Sequence, residues 1–124
     1  MYYKDLEVWK ESINLVTYIY EITNNYPQTE LYGITNQIRR SVVSVPSNIS
    51  EGAVKHSDKE TLRYLDIALG SLAELDTQMV ISQKLGYISN YETIELQISK
   101  VRALLIGLIS YYNKQLNDNE VLVP

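Results

Sequence analysis

The sequence predicts an all-α fold, an antiparallel up-down-up-down four-helix bundle with a proline-kinked second helix. Three observations favour it: four segments carry apolar residues at helical spacing, short polar turns separate them, and no segment shows a β-hairpin signal. Short connections favour neighbouring helices that run in opposite directions. The 124 residues suffice for one such domain with one hydrophobic core.

The first helix is predicted to begin near Leu6, with Asp5 as its cap. Pro27 disfavours helical backbone at Tyr26, so the helix should end by Asn25. Its apolar residues form two adjoining stripes, a wider apolar face than a bundle helix usually has. One stripe is Leu6, Trp9, Ile13, Val16 and Tyr20, and the other is Val8, Leu15, Ile19 and Ile22.

The second helix is predicted to run from a cap at Thr29 to about Val54. Pro46 removes one backbone N–H and crowds the carbonyl four residues earlier, which costs about 3 kcal/mol in a regular helix. The helix therefore either kinks there or ends and restarts, with Ser47 and Asn48 as caps of the new start. Its apolar stripe is Ile34, Ile38, Val42, Val45 and Ile49, beside a polar stripe of Gln37, Ser41, Ser44 and Asn48.

The third helix is predicted to begin at a capping box, in which Ser57 is the N-cap and Glu60 follows three residues later. Gly86 should end it, because glycine readily adopts the left-handed backbone that follows many helices. The expected core stripe is Leu62, Leu65, Leu69, Leu72 and Met79, flanked by Ala68 and Leu75.

Ser89 or Asn90 starts the predicted fourth helix, whose apolar pattern weakens after Lys114. We therefore expect a four-helix domain over residues 1–114 and a mobile C-terminal tail over residues 115–124. The expected core stripe is Ile94, Ile98, Val101, Leu105, Leu108 and Tyr112, widened by Leu104 and Tyr111.

Composition indicates a soluble globular protein, with 45% hydrophobic and 21% charged residues. The absence of cysteine excludes disulfides and thiolate metal sites. The first residues carry no apolar signal core, and the longest apolar run, residues 103–109, is too short to cross a membrane. We expect a cytoplasmic protein that does not contact a membrane.

The formal net charge of −4 argues against a general binder of polyanions. Charge is unevenly distributed, however, because five basic and three acidic residues lie between positions 37 and 63. This segment therefore carries +2 and the rest of the chain −6. A local basic face of this kind is a candidate contact for RNA or DNA. Its cations are Arg39, Arg40, Lys55, Lys59 and Arg63.

No pattern for catalysis, metal binding or a cofactor is present. His56 is the single histidine, and we place it in a polar turn without an acidic partner at helical spacing. Gly70 belongs to no phosphate-binding loop. Glu74 is expected to form a structural ion pair with Arg39 or Arg40 across two neighbouring helices. We expect no enzymatic activity, no cofactor and no small-molecule substrate.

The first and fourth helices carry more apolar surface than the core of one bundle requires. Surplus apolar surface usually marks contact with a partner, so we expect an oligomer. The eleven tyrosines suit half-buried interface positions, although a bias in composition explains them as well. The leading hypothesis is a non-enzymatic oligomeric scaffold or adaptor. The alternative is an accessory protein that binds RNA or DNA through the local basic face.

Three pieces of the chain, in this order, carry a family resemblance: DLEVWKES, YPQTELYGITNQIRRSVVSVPSNISEG, and IALGSLAEL with the KLGY turn. They resemble the four-helix-bundle proteins encoded within intervening sequences of bacterial 23S rRNA genes. Tyr3 and Tyr26 stand where the family often has phenylalanine. The likeness covers nearly the whole chain to about Tyr112.

The resemblance implies a closed homo-oligomer, a homopentamer of antiparallel bundles, and leaves the biochemical role unsettled. The fold also resembles the accessory protein of diversity-generating retroelements, a pentameric ring associated with a reverse transcriptase and nucleic acid. That relative is more basic, and the net charge of −4 counts against the same role here. The signature residues, interpreted first as fold and assembly residues, are Arg39, Arg40, Pro46, Asn48, Glu51, Gly52 and Glu74.

Overall fold

Four α-helices pack side by side in the computed structural model, which describes the backbone of residues 2–122 and the side chains of residues 2–119. Each helix contacts two others, so that the first and third both lie between the second and fourth. No strand occurs in the described residues, which confirms the all-α four-helix prediction. The helices are α1 (Glu7–Thr23), α2 (Ile34–Ala53), α3 (Asp58–Lys84) and α4 (Tyr91–Leu122), with 3₁₀ turns at Tyr3–Asp5 and Gln28–Glu30.

Contacts between α2 and α3 run in opposite directions along the two helices. The Ser44 and Ser71 hydroxyls lie 2.9 Å apart. About two turns later in α2, the Gly52 carbonyl accepts a hydrogen bond from the Thr61 hydroxyl at 2.8 Å. As α2 advances, its partner positions on α3 therefore move back towards the start of that helix. This is the arrangement of antiparallel neighbours.

Helices α3 and α4 also run antiparallel to each other. Near the end of α3, the Asp76 carboxylate accepts a hydrogen bond from the Tyr91 hydroxyl at the start of α4. At the other end, burial and the charge of Asp58, at the start of α3, raise the pKa of Tyr112. Asp76 also lies 3.4 Å from the Arg102 guanidinium. Burial and then the Asp76 hydrogen bond raise the pKa of Tyr91 to about 12, so this link between the helices keeps its proton far above neutral pH.

The two predicted boundaries of α3 are confirmed. The Ser57 hydroxyl accepts a hydrogen bond from the Glu60 backbone N–H at 3.2 Å, as an N-cap does. After the helix, Gly86 has a φ of 82° and donates to the Gln83 carbonyl. Tyr87 donates to the Ser82 carbonyl, which completes a Schellman motif.

The caps predicted for α1 and α2 were wrong. Asp5 lies inside a 3₁₀ turn, and Leu6, which has no capping side chain, precedes α1. Thr29 lies in the second 3₁₀ turn, and Gly33 precedes α2. The backbone bonds of the short turns delay α1 by one residue and α2 by four relative to the predicted caps.

Pro46 lies inside α2 without interrupting it, so the predicted restart near this residue was wrong. Asn48 does not cap a new helix. Its side-chain amide donates instead to the Ser44 carbonyl one turn earlier, at 2.8 Å. The kink at Pro46 stays a prediction.

The fourth helix does not end where its apolar pattern weakens. It continues past Lys114 to Leu122, and Leu116 packs partly buried against the core. Val123 and Pro124 of the predicted tail lie outside the described residues. Mobility of residues 115–124 stays a prediction.

The core is built mainly from the predicted stripes of α2, α3 and α4, but α1 uses its second stripe. Val8, Leu15 and Ile19 are buried, whereas Trp9, Ile13 and Val16 are only half-buried and Tyr20 is 39% exposed. The surplus apolar face expected on α1 is therefore the first stripe, which packs partly buried against the core and keeps some of its surface exposed. The buried core residues of the other helices are Ile38, Val42, Val45, Ile49, Leu62, Leu65, Ala68, Leu72, Leu75, Met79, Ile94, Ile98, Val101, Leu105 and Tyr112.

Replacement of Gly86 by alanine should destabilise the bundle by about 1 kcal/mol, because a side chain disfavours its left-handed backbone. Gly107 is the matched control: it is an exposed position in the interior of α4, and neither glycine has an atom within 4 Å of an added Cβ. Gly107→Ala should stabilise by up to about 1 kcal/mol. Urea unfolding measures both, and equal shifts of the same sign would contradict the assigned backbone at Gly86.

Candidate interaction surface on α2

Helix α2 lies between two open grooves on the surface of the bundle. We call them the polar groove, between α2 and α3, with a volume of about 740 Å³, and the apolar groove, between α1 and α2, with about 290 Å³. Tyr32, Asn36, Gln37, Arg40, Ser41, Ser44, Ser71 and Glu74 line the polar groove. Tyr3, Lys4, Trp9, Ile13, Val16, Val43, Pro46, Ser47 and Ser50 line the apolar groove.

A small hydrogen-bonded network joins the two walls of the polar groove. The Asn48 amide donates to the Ser44 hydroxyl at 2.9 Å, and that hydroxyl shares a further 2.9 Å hydrogen bond with the Ser71 hydroxyl. All three side chains are half-buried. Ser44 thus satisfies its hydroxyl against α3, and Asn48 satisfies its amide on Ser44 within α2.

At Gly52, α2 lies close against α3. A Cβ at this position would lie 3.0 Å from the Tyr64 Cβ and 3.1 Å from the Thr61 carbonyl oxygen. A side chain there would push the two helices apart, since neither atom lies at the end of a flexible chain. Gly52 is therefore a packing residue.

Arg39 is held against the end of α1. Its Nε donates to the Thr23 hydroxyl at 3.0 Å and its Nη2 to the Asn24 side-chain oxygen at 3.1 Å. The guanidinium also lies 4.6 Å from the centre of the Tyr20 ring. Two N–H groups and one face of the guanidinium are thus engaged by its own chain. These contacts limit how far the Arg39 side chain can extend towards a nucleic acid.

Arg40 and Glu74 are exposed on opposite walls of the polar groove, and the ion pair predicted for Glu74 is not formed. Among the described residues, no cation lies within 4.0 Å of the Glu74 carboxylate, which accepts only the Gln78 amide at 3.3 Å. Arg39 turns towards α1, and the open groove separates Arg40 from Glu74. Solvent screening leaves little energy to draw such an exposed pair together.

Residues 4–107 match the family described as 23S rRNA-intervening sequence protein. The chain belongs to this family. Its structure is similar to a crystal structure of a protein of unknown function, from the S23 ribosomal protein family of Bacteroides thetaiotaomicron. The two are 24% identical with a TM-score of 0.77, over 83% of this chain and 95% of the other, which shows a shared fold. No curated protein matches the chain.

Neither the family description nor the similar structure indicates an enzyme class. In the part of this family member that the structure describes, no group of three histidine or acidic side chains is placed to hold a metal ion. No described helix has the length and apolarity needed to cross a membrane.

The remaining signature residues occupy different environments. Pro46 is buried at the floor of the apolar groove. Glu51 is exposed and lies 3.7 Å from Lys55 one turn later, with the two side chains 58% and 33% exposed. A pair so open to solvent contributes little to stability. The signature thus combines residues that pack the bundle with residues that face solvent.

The basic residues divide between two ends of α2 and do not form one face. Lys55 Nζ and the Arg63 guanidinium lie 5.0 and 5.2 Å from the centre of the Tyr64 ring, near the turn between α2 and α3. Arg40 lies at the polar groove, about 20 Å closer to the start of α2 at a rise of 1.5 Å per residue. The Tyr64 end, residues 51–66, contains three basic and four acidic residues and is therefore not net positive.

The Ser44–Ser71 hydrogen bond should contribute about 1 kcal/mol to the packing of α2 against α3, because both hydroxyls are half-buried. A double-mutant cycle with Ser44→Ala and Ser71→Ala measures the coupling in urea unfolding. Ser89→Ala, at an exposed serine outside the network, is the control and should couple to neither. Strict additivity of the two network substitutions would mean that the pair does not join the helices.

Proposed function

We propose that this family member is a non-enzymatic oligomeric scaffold or adaptor, which assembles as a homopentamer and presents its outer surfaces to a protein partner. The observation that carries the proposal is the first apolar stripe of α1, which the core of the bundle covers only in part. The pentamer is the assembly that the family resemblance implies. The stripe supports self-association because a monomer would leave its uncovered apolar part in water.

The stripe has the spacing of a helix-packing seam. Trp9, Ile13, Val16 and Tyr20 follow one another at intervals of four, three and four residues, the pattern with which coiled-coil helices pack. Val43 of α2, 39% exposed, lies across the apolar groove from it. A helix of a second copy placed along this groove would cover both walls together.

A closed ring with an odd number of subunits needs a second, different contact face on each copy. The other helices supply exposed apolar residues for this purpose. They are Ile67 and Ile81 on α3 and Leu96 and Ile106 on α4, which are 44%, 42%, 71% and 47% exposed. We propose that some of these residues meet the apolar groove of the next subunit.

Substitution of Val43 by lysine should convert the assembly to monomers, because it places a charge inside the proposed contact. Val54→Lys is the matched control, since Val54 is 57% exposed and lies outside the groove. Light scattering after size exclusion gives the mass, and circular dichroism verifies that helicity is kept. Wild-type protein should elute as several subunits, five in the proposed assembly. A wild-type monomer would reject the scaffold proposal, and an intact oligomer in Val43→Lys would reject this interface.

The second candidate function is an RNA- or DNA-binding accessory protein. The observation in its favour is that two cations, Lys55 and Arg63, lie near the Tyr64 ring, where a phosphate contact and an aromatic ring are close together. The four acidic residues among positions 51–66 oppose it, so we place it second.

Charge reversal at Lys59 and Arg63 should abolish nucleic-acid binding if this end of the bundle makes the contact. The absorbance ratio at 260 and 280 nm of the purified oligomer shows whether nucleic acid accompanies it, and a salt titration shows whether the association is ionic. Arg40→Glu is the control, because Arg40 lies far from Tyr64 and its charge reversal should leave binding at the Tyr64 end unchanged. Binding unchanged in Lys59→Glu/Arg63→Glu would exclude the Tyr64 end.

A further inference from the structure

The polar groove between α2 and α3 carries two opposite charges on its opposite walls. Arg40 lies on the α2 wall and Glu74 on the α3 wall, and both side chains are exposed. The hydrogen bond between Ser44 and Ser71 gives their level, because Arg40 precedes Ser44 by four residues and Glu74 follows Ser71 by three. In antiparallel helices with 3.6 residues per turn, the two charges therefore lie at about the same height along the groove.

Both charges are available to a partner. Among the described residues, Arg40 forms no ion pair, and the Glu74 carboxylate accepts only the Gln78 amide, at 3.3 Å. The side-chain amides of Asn36 and Gln37, also on the α2 wall, are exposed and bond to no other described residue. Each amide can both donate and accept hydrogen bonds. The groove therefore offers one cation, one anion and two amides where solvent reaches them.

An exposed aromatic ring belongs to the same surface. Tyr32 lines the groove and is 91% exposed, so its ring has almost no contact with its own chain. Tyrosine and arginine, with tryptophan, are the residue types that most often dominate the energy of contacts between proteins. Tyr32 and Arg40 on one groove thus favour a polypeptide as the partner.

The charges of the groove disfavour other classes of partner. Glu74 borders the same space as Arg40, so it would repel a phosphate that this arginine binds. The two charges cancel, and the groove does not attract a polyanion as a basic face does. A wholly apolar segment is also disfavoured, because it would bury both charges without a counter-charge.

We propose that the polar groove binds an extended polypeptide segment of a partner protein, in which an acidic residue and a basic residue are adjacent. Successive side chains of an extended chain point to opposite sides. A segment that runs along the groove therefore directs its carboxylate to Arg40 and its cation to Glu74 at the same level. Asn36 and Gln37 supply amides for its backbone N–H and C=O groups. This partner class rests on the proposed adaptor function, whose protein partner it specifies.

Fluorescence anisotropy with the full-length protein, at low ionic strength, measures binding of four short labelled peptides. They share a Gly/Ser sequence and differ in their two central residues, which are Glu-Lys, Glu-Glu, Lys-Lys or Ser-Ser. We expect saturable binding of the Glu-Lys peptide. The other three should bind about fivefold more weakly or worse, because an exposed ion pair contributes up to about fivefold in affinity and a like-charged peptide also adds a repulsion.

Charge exchange between the walls tests the two residues. Arg40→Glu makes both walls acidic and should shift the preference to the Lys-Lys peptide, whereas Glu74→Arg should shift it to the Glu-Glu peptide. The double variant has opposite charges again and should regain the preference for Glu-Lys, because an extended segment can lie in the groove in either direction. Lys59→Glu and Glu51→Arg, at exposed residues outside the groove, are the matched controls and should change nothing.

Two results overturn the groove as a peptide site. One is the absence of saturation by the Glu-Lys peptide at about 1 mM, and the other is a peptide preference that the wall substitutions leave unchanged. Binding of oligothymidylate that is lost in Arg40→Glu, without binding of any peptide, would assign this wall to nucleic acid instead.

The native mass of each sample separates these results from failure of the scaffold function. A protein of several subunits that binds no peptide rejects the groove proposal alone. A monomer that binds the Glu-Lys peptide with the expected preference rejects the oligomeric scaffold alone and supports the groove.

Discussion

The close contact of α2 with α3 at Gly52 determines where the surface residues of the bundle lie. A glycine at this crossing lets the Thr61 hydroxyl reach the Gly52 carbonyl, and the same approach brings the Ser44 and Ser71 hydroxyls to 2.9 Å. Of the polar stripe of α2, Ser44 is engaged in this contact, while Gln37 and Ser41 line the polar groove. The outward residues of α2 are then left as a ridge with a groove on each side.

The two grooves differ in chemistry because α2 meets different neighbours. On one side its small polar residues face Ser71 and Glu74, and on the other its Val43 and Pro46 face the first apolar stripe of α1. Arg39 and Arg40 are adjacent in sequence but point to different surroundings, one fixed on α1 and the other open to solvent. The two arginines nevertheless line one further pocket together, with Tyr20, Asn36, Val43 and Ser44.

Much of the fold could be predicted from the sequence, because local chemistry decides it. The Ser57 cap and the Gly86 stop each act within one turn of helix, and both were confirmed. The caps at Asp5 and Thr29 were wrong because short 3₁₀ turns compete for the same backbone groups. Periodicity alone also could not decide which of the two stripes of α1 is buried, since both have helical spacing.

The candidate site was less predictable, because it depends on the register between helices. Ser71 was not singled out, although the antiparallel turn near Ser57 places it opposite Ser44 at a nearly equal distance along the chain. Counting outward from that turn would have found it. The absence of the Glu74 ion pair depends on side-chain directions and on the width of the polar groove. The separation of the basic residues likewise depends on tertiary geometry, which a sequence pattern does not predict.

An even number of antiparallel helices also places the start of α1 and the later part of α4 at the same end of the bundle. Tyr3 at the start of the chain and Tyr112 late in α4 lie at the same end of the bundle as the turn between α2 and α3, since Tyr112 is near Asp58. A linker from the later part of α4 to the start of α1, with the chain opened at residues 54–57, would yield a circular permutant in the helix order α3, α4, α1, α2. Such a protein keeps every interhelical contact but replaces the covalent turn between α2 and α3 with two free ends. In this permutant α2 and α3 are no longer consecutive in the chain, so the contact between Gly52 and Thr61 must form without a short connecting turn.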